Sequence, residues 1–266
     1  MFDELLARND EIEFIAVFGG MAFLFLIEAG VPRRIAENSQ TQRWLNNISL
    51  ALLNYYLTAM LSFQFAVIAL YFQPEMPFLK HVELPVAVTV LLTILVADGV
   101  NYWLHRAFHQ FPILWRVHVV HHTDTEFDVT TANRHHPLEL MITMLVTLPV
   151  AVFLGAPIIA VIIYTYLSIL VNLLSHANIS LPNWLDRVLR LLIVTPDFHR
   201  MHHSSYHQYT ESNYGTISPW FDYLFGTATG LAYDQLPNMQ LGLDRYRRKV
   251  DGRLDRLLTL PFTYRR

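Results

Sequence analysis

Five long apolar segments constrain this chain more than any other feature of its sequence. They cover residues 14–31, 49–72, 85–104, 138–154 and 157–174. A helix needs about 20 apolar residues to cross the hydrocarbon core of a bilayer, and lipid-exposed segments there must satisfy their backbone hydrogen bonds internally. The sequence therefore predicts an all-α, integral-membrane helical bundle with four or five membrane-embedded helices.

The composition agrees with a membrane protein and excludes several classes of site. Of the 266 residues 53% are hydrophobic and 15% are charged, which is more apolar than a single soluble core requires. No cysteine occurs, so thiolate metal sites, iron-sulfur clusters and disulfides are excluded. We find no basic, aromatic surface pattern and therefore predict no nucleic-acid partner, while the oligomeric state is not indicated.

The last two apolar segments are separated only by Gly155-Ala156-Pro157. This break predicts a helical hairpin. Because each half is short, a hairpin that crosses the bilayer and a re-entrant hairpin that enters from one side both remain open at this point.

Charges in the loops predict the orientation of the bundle. The first loop carries three arginines, whereas the second carries one lysine and two acids. These residues are Arg33, Arg34 and Arg43 in the first loop, and Lys80, Glu75 and Glu83 in the second. Cytoplasmic loops are enriched in Lys and Arg, so we expect the first loop to be cytoplasmic and the N-terminus to lie outside. Alternation of the spans then places the histidine clusters and the C-terminus on the cytoplasmic side.

Histidines are concentrated in one part of the chain, with 12 of the 13 lying between residues 105 and 207. Eight of them form three clusters. The clusters are His105 and His109; His118, His121 and His122; and His199, His202 and His203. Residues three or four apart share one face of a helix, so each cluster converges its imidazoles. Eight imidazoles exceed the three or four ligands of a single zinc ion, and we therefore predict a cytosolic, histidine-rich cap that holds two metal ions.

The remaining histidines differ in their surroundings. His176 ends the hairpin one turn after Asn172, and we expect it to join the ligands. We expect His136 to be either a further ligand or a hydrogen-bond donor to the ligand residues, whereas its neighbour His135 is expected to be peripheral. We expect His81 and His207 to be structural or solvated.

Acidic residues near the clusters are candidates to accept the second N–H of a ligand imidazole, which fixes the ring. The candidates are Asp98, Asp124, Glu126, Glu139, Asp197 and Glu211. Asp98 is the most distinctive, because it lies inside an apolar span two turns before His105, and charges at such depth usually mark function. A hydrogen bond between helices is the alternative role for Asp98.

Several sequence segments together resemble the fatty acid hydroxylase and sterol desaturase superfamily of integral-membrane di-iron oxygenases. They are D-G-V-N-Y-W-L-H-R-A-F-H at 98–109, H-H-T at 121–123, N-R-H-H-P at 133–137, T-P-D-F-H-R-M-H-H-S at 195–204, N-Y-G at 213–215 and L-F-G-T at 224–227. The similarity covers about residues 85–230. It indicates a catalytic region over 85–230. The apolar segments predict N-terminal membrane spans over 1–84, and the pattern of charges and leucines predicts a basic, amphipathic tail over 231–266, within one structural unit.

The resemblance implies a ligand set, cofactors and a reaction. The eight clustered histidines would be ligands, with His176 and His136 completing the set, and some relatives have another histidine where this chain has Asn172. Two iron ions would use O2 and two external electrons to hydroxylate or desaturate a C–H bond of a lipid. The electrons would come from a separate donor of the cytochrome b5, ferredoxin or reductase type, and the lipid would enter from the bilayer.

One other enzyme class and two non-enzymatic functions compete with this interpretation. A membrane zinc hydrolase would need a glutamate base beside its ligands, and no H-E-x-x-H motif occurs. A heme-binding protein would need facing histidines deep within the spans, and a metal transporter would need weaker ligands spaced along a path, whereas these clusters adjoin the ends of spans.

Overall fold

The computed structural model describes residues 8–36, 40–72, 74–82 and 84–264. Glu83, which contributed to the predicted orientation, lies outside these residues. The last two residues of the tail, Arg265 and Arg266, and the side chain of Lys80 also lie outside them.

The described residues form helices and turns but no β-strand, and only two isolated β-bridges occur among them. The first helix, α1, runs through Asn9–Phe14, a π-helical stretch at Ile15–Gly19 and Gly20–Gly30. The helices that follow are α2 (Thr41–Tyr71), α3 (Phe78–His81), α4 (Val86–Gln110), α5 (Pro112–His122), α6 (Pro137–Leu154), α7 (Ile158–His176), α8 (Asn183–Leu189), α9 (Pro196–His202), α10 (His207–Thr210), α11 (Trp220–Phe225) and α12 (Leu254–Thr263). The all-α prediction is confirmed.

Four helices of the described residues are long and apolar enough to cross a membrane: Asp10–Gly30, α4, α6 and α7. Only 6% of the most apolar 18-residue stretch of α6 is buried inside the protein, and its exposed side chains include Leu145 and Phe153. Such a surface matches a hydrocarbon environment rather than water. The predicted second segment, 49–72, lies in the 31-residue helix α2.

The hairpin between α6 and α7 forms at the predicted break. Gly155 adopts a left-handed conformation, with φ of +72°, and Pro157 precedes the first residue of α7. A Cβ atom at Gly155 would lie 2.5 Å from Cβ of Pro77, so both the conformation and the close approach require glycine. At 18 and 19 residues the two helices are about 27–29 Å long, close to the thickness of a hydrocarbon core of about 30 Å.

The histidines meet because the helices that carry them end or begin at the same end of the bundle. His105 and His109 lie in the last turns of α4, and His176 is the last residue of α7. Phe111 is extended and Pro112 opens α5, so the chain turns between α4 and α5 and brings the second cluster back. Helix α9, which carries the third cluster, packs against α7.

The tail packs on the cap through one face of α12. Leu257 and Leu260 are buried with Val119 and Val120 of α5, whereas Phe262 is exposed. The amphipathic pattern of the tail therefore corresponds to a helix that packs on its own protein through Leu257 and Leu260.

Candidate metal centre

Nine of the ten predicted ligand histidines converge in two separate groups. In each group the candidate ligand atoms lie within 4.8 Å of one another. The first group contains His105, His109, His118, His122 and His202; the second contains His121, His176, His199 and His203. Each group takes residues from different helices, so neither would exist without the tertiary fold. The arrangement agrees with the predicted count of two metal ions.

In four of the nine rings, Nδ1 donates its proton to a fixed oxygen. His105 donates to the carbonyl of Tyr214 (2.9 Å) and His202 to the carbonyl of Ser212 (2.7 Å). The other two bonds run from His176 to the carbonyl of Asn172 (2.8 Å) and from His118 to Oε1 of Glu139 (2.7 Å). A carbonyl or carboxylate can only accept, so Nδ1 carries the hydrogen and Nε2 keeps a free lone pair. This is the tautomer that a metal ligand needs.

Several ring nitrogens of the two groups are buried and have no hydrogen-bond partner. The Nε2 atoms of His105, His109, His202 and His203 are in this state in the described part of the chain. In the second group, Nε2 of His176 lies 3.2 Å from Nε2 of His121 and 3.1 Å from Nε2 of His199. Nε2 of His176 has one lone pair and cannot accept from both neighbours, whereas a cation between these buried nitrogens would satisfy all three. The donor set therefore fits two bound cations, and imidazole nitrogen suits iron as well as zinc.

The protonation of the ligands favours metal binding as well. Burial first, and then the charges of neighbouring histidines, hold the pKa values of five imidazoles well below their usual range: His121, His122, His199, His202 and His203. These rings are neutral at physiological pH, as ligands must be.

His136 is the predicted ligand that the structure does not bring to either group. Its Nδ1 accepts the backbone N–H of Leu138 and so caps the first turn of α6. Its Nε2 lies 3.1 Å from the carbonyl of Leu258 and donates to it. Since both ring nitrogens are engaged, His136 has no free lone pair for a metal ion.

His135, expected to be peripheral, lies against the second group. Its ring stacks on that of His121 with centroids 4.2 Å apart, and its Nδ1 donates to Glu139 at 3.0 Å. His81 and His207 are exposed, and neither belongs to the groups.

Among the predicted acceptors, Glu139 forms a hydrogen bond of normal length to a ligand side chain, that of His118. Glu211 approaches Nδ1 of His109 at 3.6 Å and accepts from the hydroxyl of Tyr214 at 3.1 Å. Asn172 holds His176 through its backbone carbonyl, while its side chain donates to Ala132. Glu126 is half-buried in the loop after α5, outside both groups.

Asp98 and Asp197 hold the fold around the centre. Asp98 accepts the backbone N–H groups of Ile217 and Ser218 at 3.0 and 3.2 Å, as well as the hydroxyl of Ser218. It thus anchors the loop whose Tyr214 carbonyl receives His105. Asp197 pairs with Arg33 at 3.1 Å and joins the first loop to α9.

Asp124 belongs to a buried network that the sequence did not reveal. Arg43 of α2 pairs with Asp124 at 2.6 Å and with Asp128 at 2.5 Å, and it donates to Thr131. The network fixes the turn Val129–Asn133 directly after the second cluster. From the sequence, Arg43 was identified only as a positive charge of the first loop.

The chain belongs to the fatty acid hydroxylase family. The family's sequence pattern matches residues 90–227, which are 138 of the 266 residues and include all nine converging histidines. No solved structure matches the protein.

Curated relatives match about half of this chain. Ornithine lipid hydroxylase OlsE of Rhizobium tropici is 28% identical over 158 residues, which are 58% of this chain and 47% of that protein. Human alkylglycerol monooxygenase is 29% identical over 126 residues, 47% of this chain and 27% of that protein. A very-long-chain aldehyde decarbonylase of Oryza sativa subsp. japonica is 29% identical over 149 residues, 53% and 23% respectively. The chain thus covers less than half the length of each of these three relatives.

Proposed function

We propose that the protein is a membrane-bound di-iron oxygenase that hydroxylates or desaturates a C–H bond of a lipid. The separation of nine histidines, eight of them buried and His105 half-buried, into two groups with free nitrogen lone pairs carries the proposal. Membership of the fatty acid hydroxylase family supports it, as do the names of the ornithine lipid hydroxylase and the alkylglycerol monooxygenase. Both relatives are named for oxidation of a lipid.

When bound, the two iron ions would supply the activation of O2, with two external electrons. The protein's own residues would hold and orient the site. His105, His118, His176 and His202 are fixed by their Nδ1 bonds, so their Nε2 atoms point at defined positions. Glu139 stabilises the orientation of His118 and His135 together.

A cavity of about 400 Å³ would position the substrate. His105 and His118 of the first group line it together with His121, His176 and His199 of the second, and apolar side chains such as Leu104 and Ile169 line it beyond them. A ligand in this cavity would contact both groups. A choice between hydroxylation and desaturation would depend on how the cavity holds the carbon chain.

The proposal includes an orientation with the histidine cap and the C-terminus in the cytoplasm and the N-terminus outside. Three arginines of the first loop contact the cap: Arg33 pairs with Asp197, Arg34 donates to the carbonyl of Met239, and Arg43 pairs with Asp124. The positive loop and the cap therefore lie on one side, as the rule for cytoplasmic charge requires. Electrons would come from a separate cytoplasmic donor of the cytochrome b5, ferredoxin or reductase type.

Metal analysis and product analysis of the same sample test the proposal. We expect two irons per chain after anaerobic reconstitution with ferrous iron, and a lipid product heavier by 16 or lighter by 2 mass units when O2 and electrons are supplied. His121→Ala should lower the metal content and abolish the product, whereas the exposed His81→Ala should do neither. One zinc per chain with hydrolytic activity, or heme absorbance, would refute the proposal.

A further inference from the structure

The wall of the cavity near the histidines is polar but carries no cationic side chain other than the histidines. Among the described residues no lysine or arginine lines it, and its acids are Glu13 and Glu139. Away from the two metal positions, a carboxylate or phosphate of a substrate would have no lysine or arginine to pair with there, and an unpaired buried charge is strongly unfavourable. The lining therefore disfavours a free fatty acid or a phosphate group inside the cavity.

Most polar side chains on this lining already have partners. The amide of Asn101 donates to the hydroxyl of Tyr164 at 2.9 Å, and that of Asn172 donates to the carbonyl of Ala132 at 3.0 Å. Ser175 donates to the carbonyl of Asn172. The N–H and O–H donors of these groups are therefore satisfied by the protein.

Three buried atoms of the lining have no hydrogen-bond partner in the described residues, apart from imidazole nitrogens. They are Oδ1 of Asn54, Nδ2 of Asn133 and Oε2 of Glu139. Nδ2 of Asn54 donates to the carbonyl of His135 at 2.9 Å. Since that carbonyl can only accept, the orientation of the Asn54 amide is fixed, and Oδ1 is the atom left without a partner. Buried polar atoms without partners are rare in native proteins and call for an explanation.

The three atoms surround one histidine that touches the metal centre. Asn54 holds the backbone of His135, Asn133 precedes it by two residues, and Glu139 accepts from its ring. The ring of His135 stacks on the candidate ligand His121. The unpartnered atoms thus lie beside the site where the C–H bond would react.

We propose that Asn54 and Asn133 bind a neutral hydrogen-bonding group of the lipid, a hydroxyl or an amide, beside the metal centre. The inference rests on the proposed function and names the chemical class of its substrate. A hydroxyl has both the donor that Oδ1 of Asn54 lacks and the acceptor that Nδ2 of Asn133 lacks. The group would fix which carbon lies next to the two histidine groups.

Binding of three lipid probes to the full chain tests the assignment without turnover. The iron-loaded protein in phosphatidylcholine nanodiscs is titrated with 1-hexadecanol, hexadecane and palmitate, with correction for partition into discs without protein. We expect 1-hexadecanol to bind about 10-fold more tightly than hexadecane, as one or two net hydrogen bonds provide. Palmitate should bind no more tightly than hexadecane.

Substitutions locate the preference in the cavity. Asn54→Leu and Asn133→Leu should each lower the preference for 1-hexadecanol over hexadecane at least about 3-fold, and the double variant should abolish it. Asn238→Leu is the matched control, because it makes the same change at an exposed asparagine outside the cavity. It should keep the preference. The affinities for 1-hexadecanol and hexadecane are compared within each variant, so a general loss of folded protein affects both and leaves their ratio unchanged.

Equal binding of 1-hexadecanol and hexadecane by the wild-type protein would overturn the assignment, as would tightest binding of palmitate. Persistence of the preference in the double variant would overturn it too. Metal content measured on the same samples separates this result from the proposed function. If the protein binds two irons but does not prefer 1-hexadecanol to hexadecane, only the proposed lipid class is refuted. If it prefers 1-hexadecanol but binds no iron, the proposed oxygenase function is refuted.

Discussion

Two backbone carbonyls set the direction of two candidate ligands, and one residue with unusual backbone geometry lies between them. Ser212 receives His202 and Tyr214 receives His105. Asn213 has φ of +55°, a left-handed conformation that asparagine tolerates better than most residues. Its side chain donates to the carbonyl of Phe198 and accepts the N–H of Thr229, which locks the segment.

Asn213→Val should therefore reduce metal binding in the first group only. A β-branched residue at positive φ costs about 1–3 kcal/mol, and the side-chain hydrogen bonds are lost as well. His105 and His202 would lose their orientation, while the second group does not use these carbonyls. We expect the metal content to fall from two ions to one per chain, measured by elemental analysis.

The control is Asn238→Val at an exposed site, which should retain two ions. Loss of both ions from Asn213→Val, with the protein still folded, would contradict the independence of the two groups.

His136 and His176 separate a structural role from a ligand role. His136→Ala removes the cap of α6, which costs about 1 kcal/mol, but both of its ring nitrogens are engaged away from the metal groups. It should lower the unfolding temperature and keep two ions per chain. His176→Ala should remove the ion of the second group. Thermal unfolding and metal analysis check both variants, and a metal deficit in His136→Ala would make His136 a ligand.

At the scale of secondary-structure elements, the position at which α6 begins determines the different roles of His135 and His136. Pro137 is the first residue of α6, so His136 becomes its N-cap and His135 lies outside the helix, with its ring on His121. Spacing within a helix predicted how the three clusters converge. It could not predict the roles of His135 and His136, because these depend on where α6 begins and on what packs there.

Arg43 connects α2 to the turn that follows the second cluster. Arg43→Leu leaves Asp124 and Asp128 without their cation, and removal of one partner of a buried pair costs about 3–5 kcal/mol. We expect a large loss of stability at pH 7, measured as thermal unfolding in detergent. Arg248→Leu removes an exposed pair with Asp251 and should have no measurable effect.

The effect of Arg43→Leu should depend on pH. Although burial acts in the opposite direction, Arg43 holds the pKa values of Asp124 and Asp128 below their usual range. The contribution of a carboxylate with a lowered pKa is complete above its ordinary value, about 3.9, and is lost as the pH falls through the lowered value. The difference between wild type and variant should therefore shrink below about pH 4. A difference that is constant between pH 7 and pH 3 would contradict the ion-pair explanation.

For the whole molecule, apolar length and histidine spacing predicted an all-α bundle with a metal-binding end. The hairpin break at Gly155 was predictable too, because glycine and proline interrupt helices for reasons local to the chain. The carbonyls of Ser212 and Tyr214 carry no signal in the sequence, since every residue has one. The contacts of Asp98 with Ile217 and Ser218 join residues about 120 positions apart, so spacing alone could not reveal them.

Metal removal connects the fold to the chemistry. Nine imidazoles converge in two groups, so we expect chelation to lower the unfolding temperature, because bound ions stabilise only the folded chain. Zinc and ferrous iron should both restore the temperature, since imidazole binds either ion. Only iron should restore consumption of O2 and formation of the oxidised lipid, because zinc has no redox chemistry. The exposed His207→Ala variant should behave as wild type, and lipid oxidation by the zinc form would contradict the oxygenase.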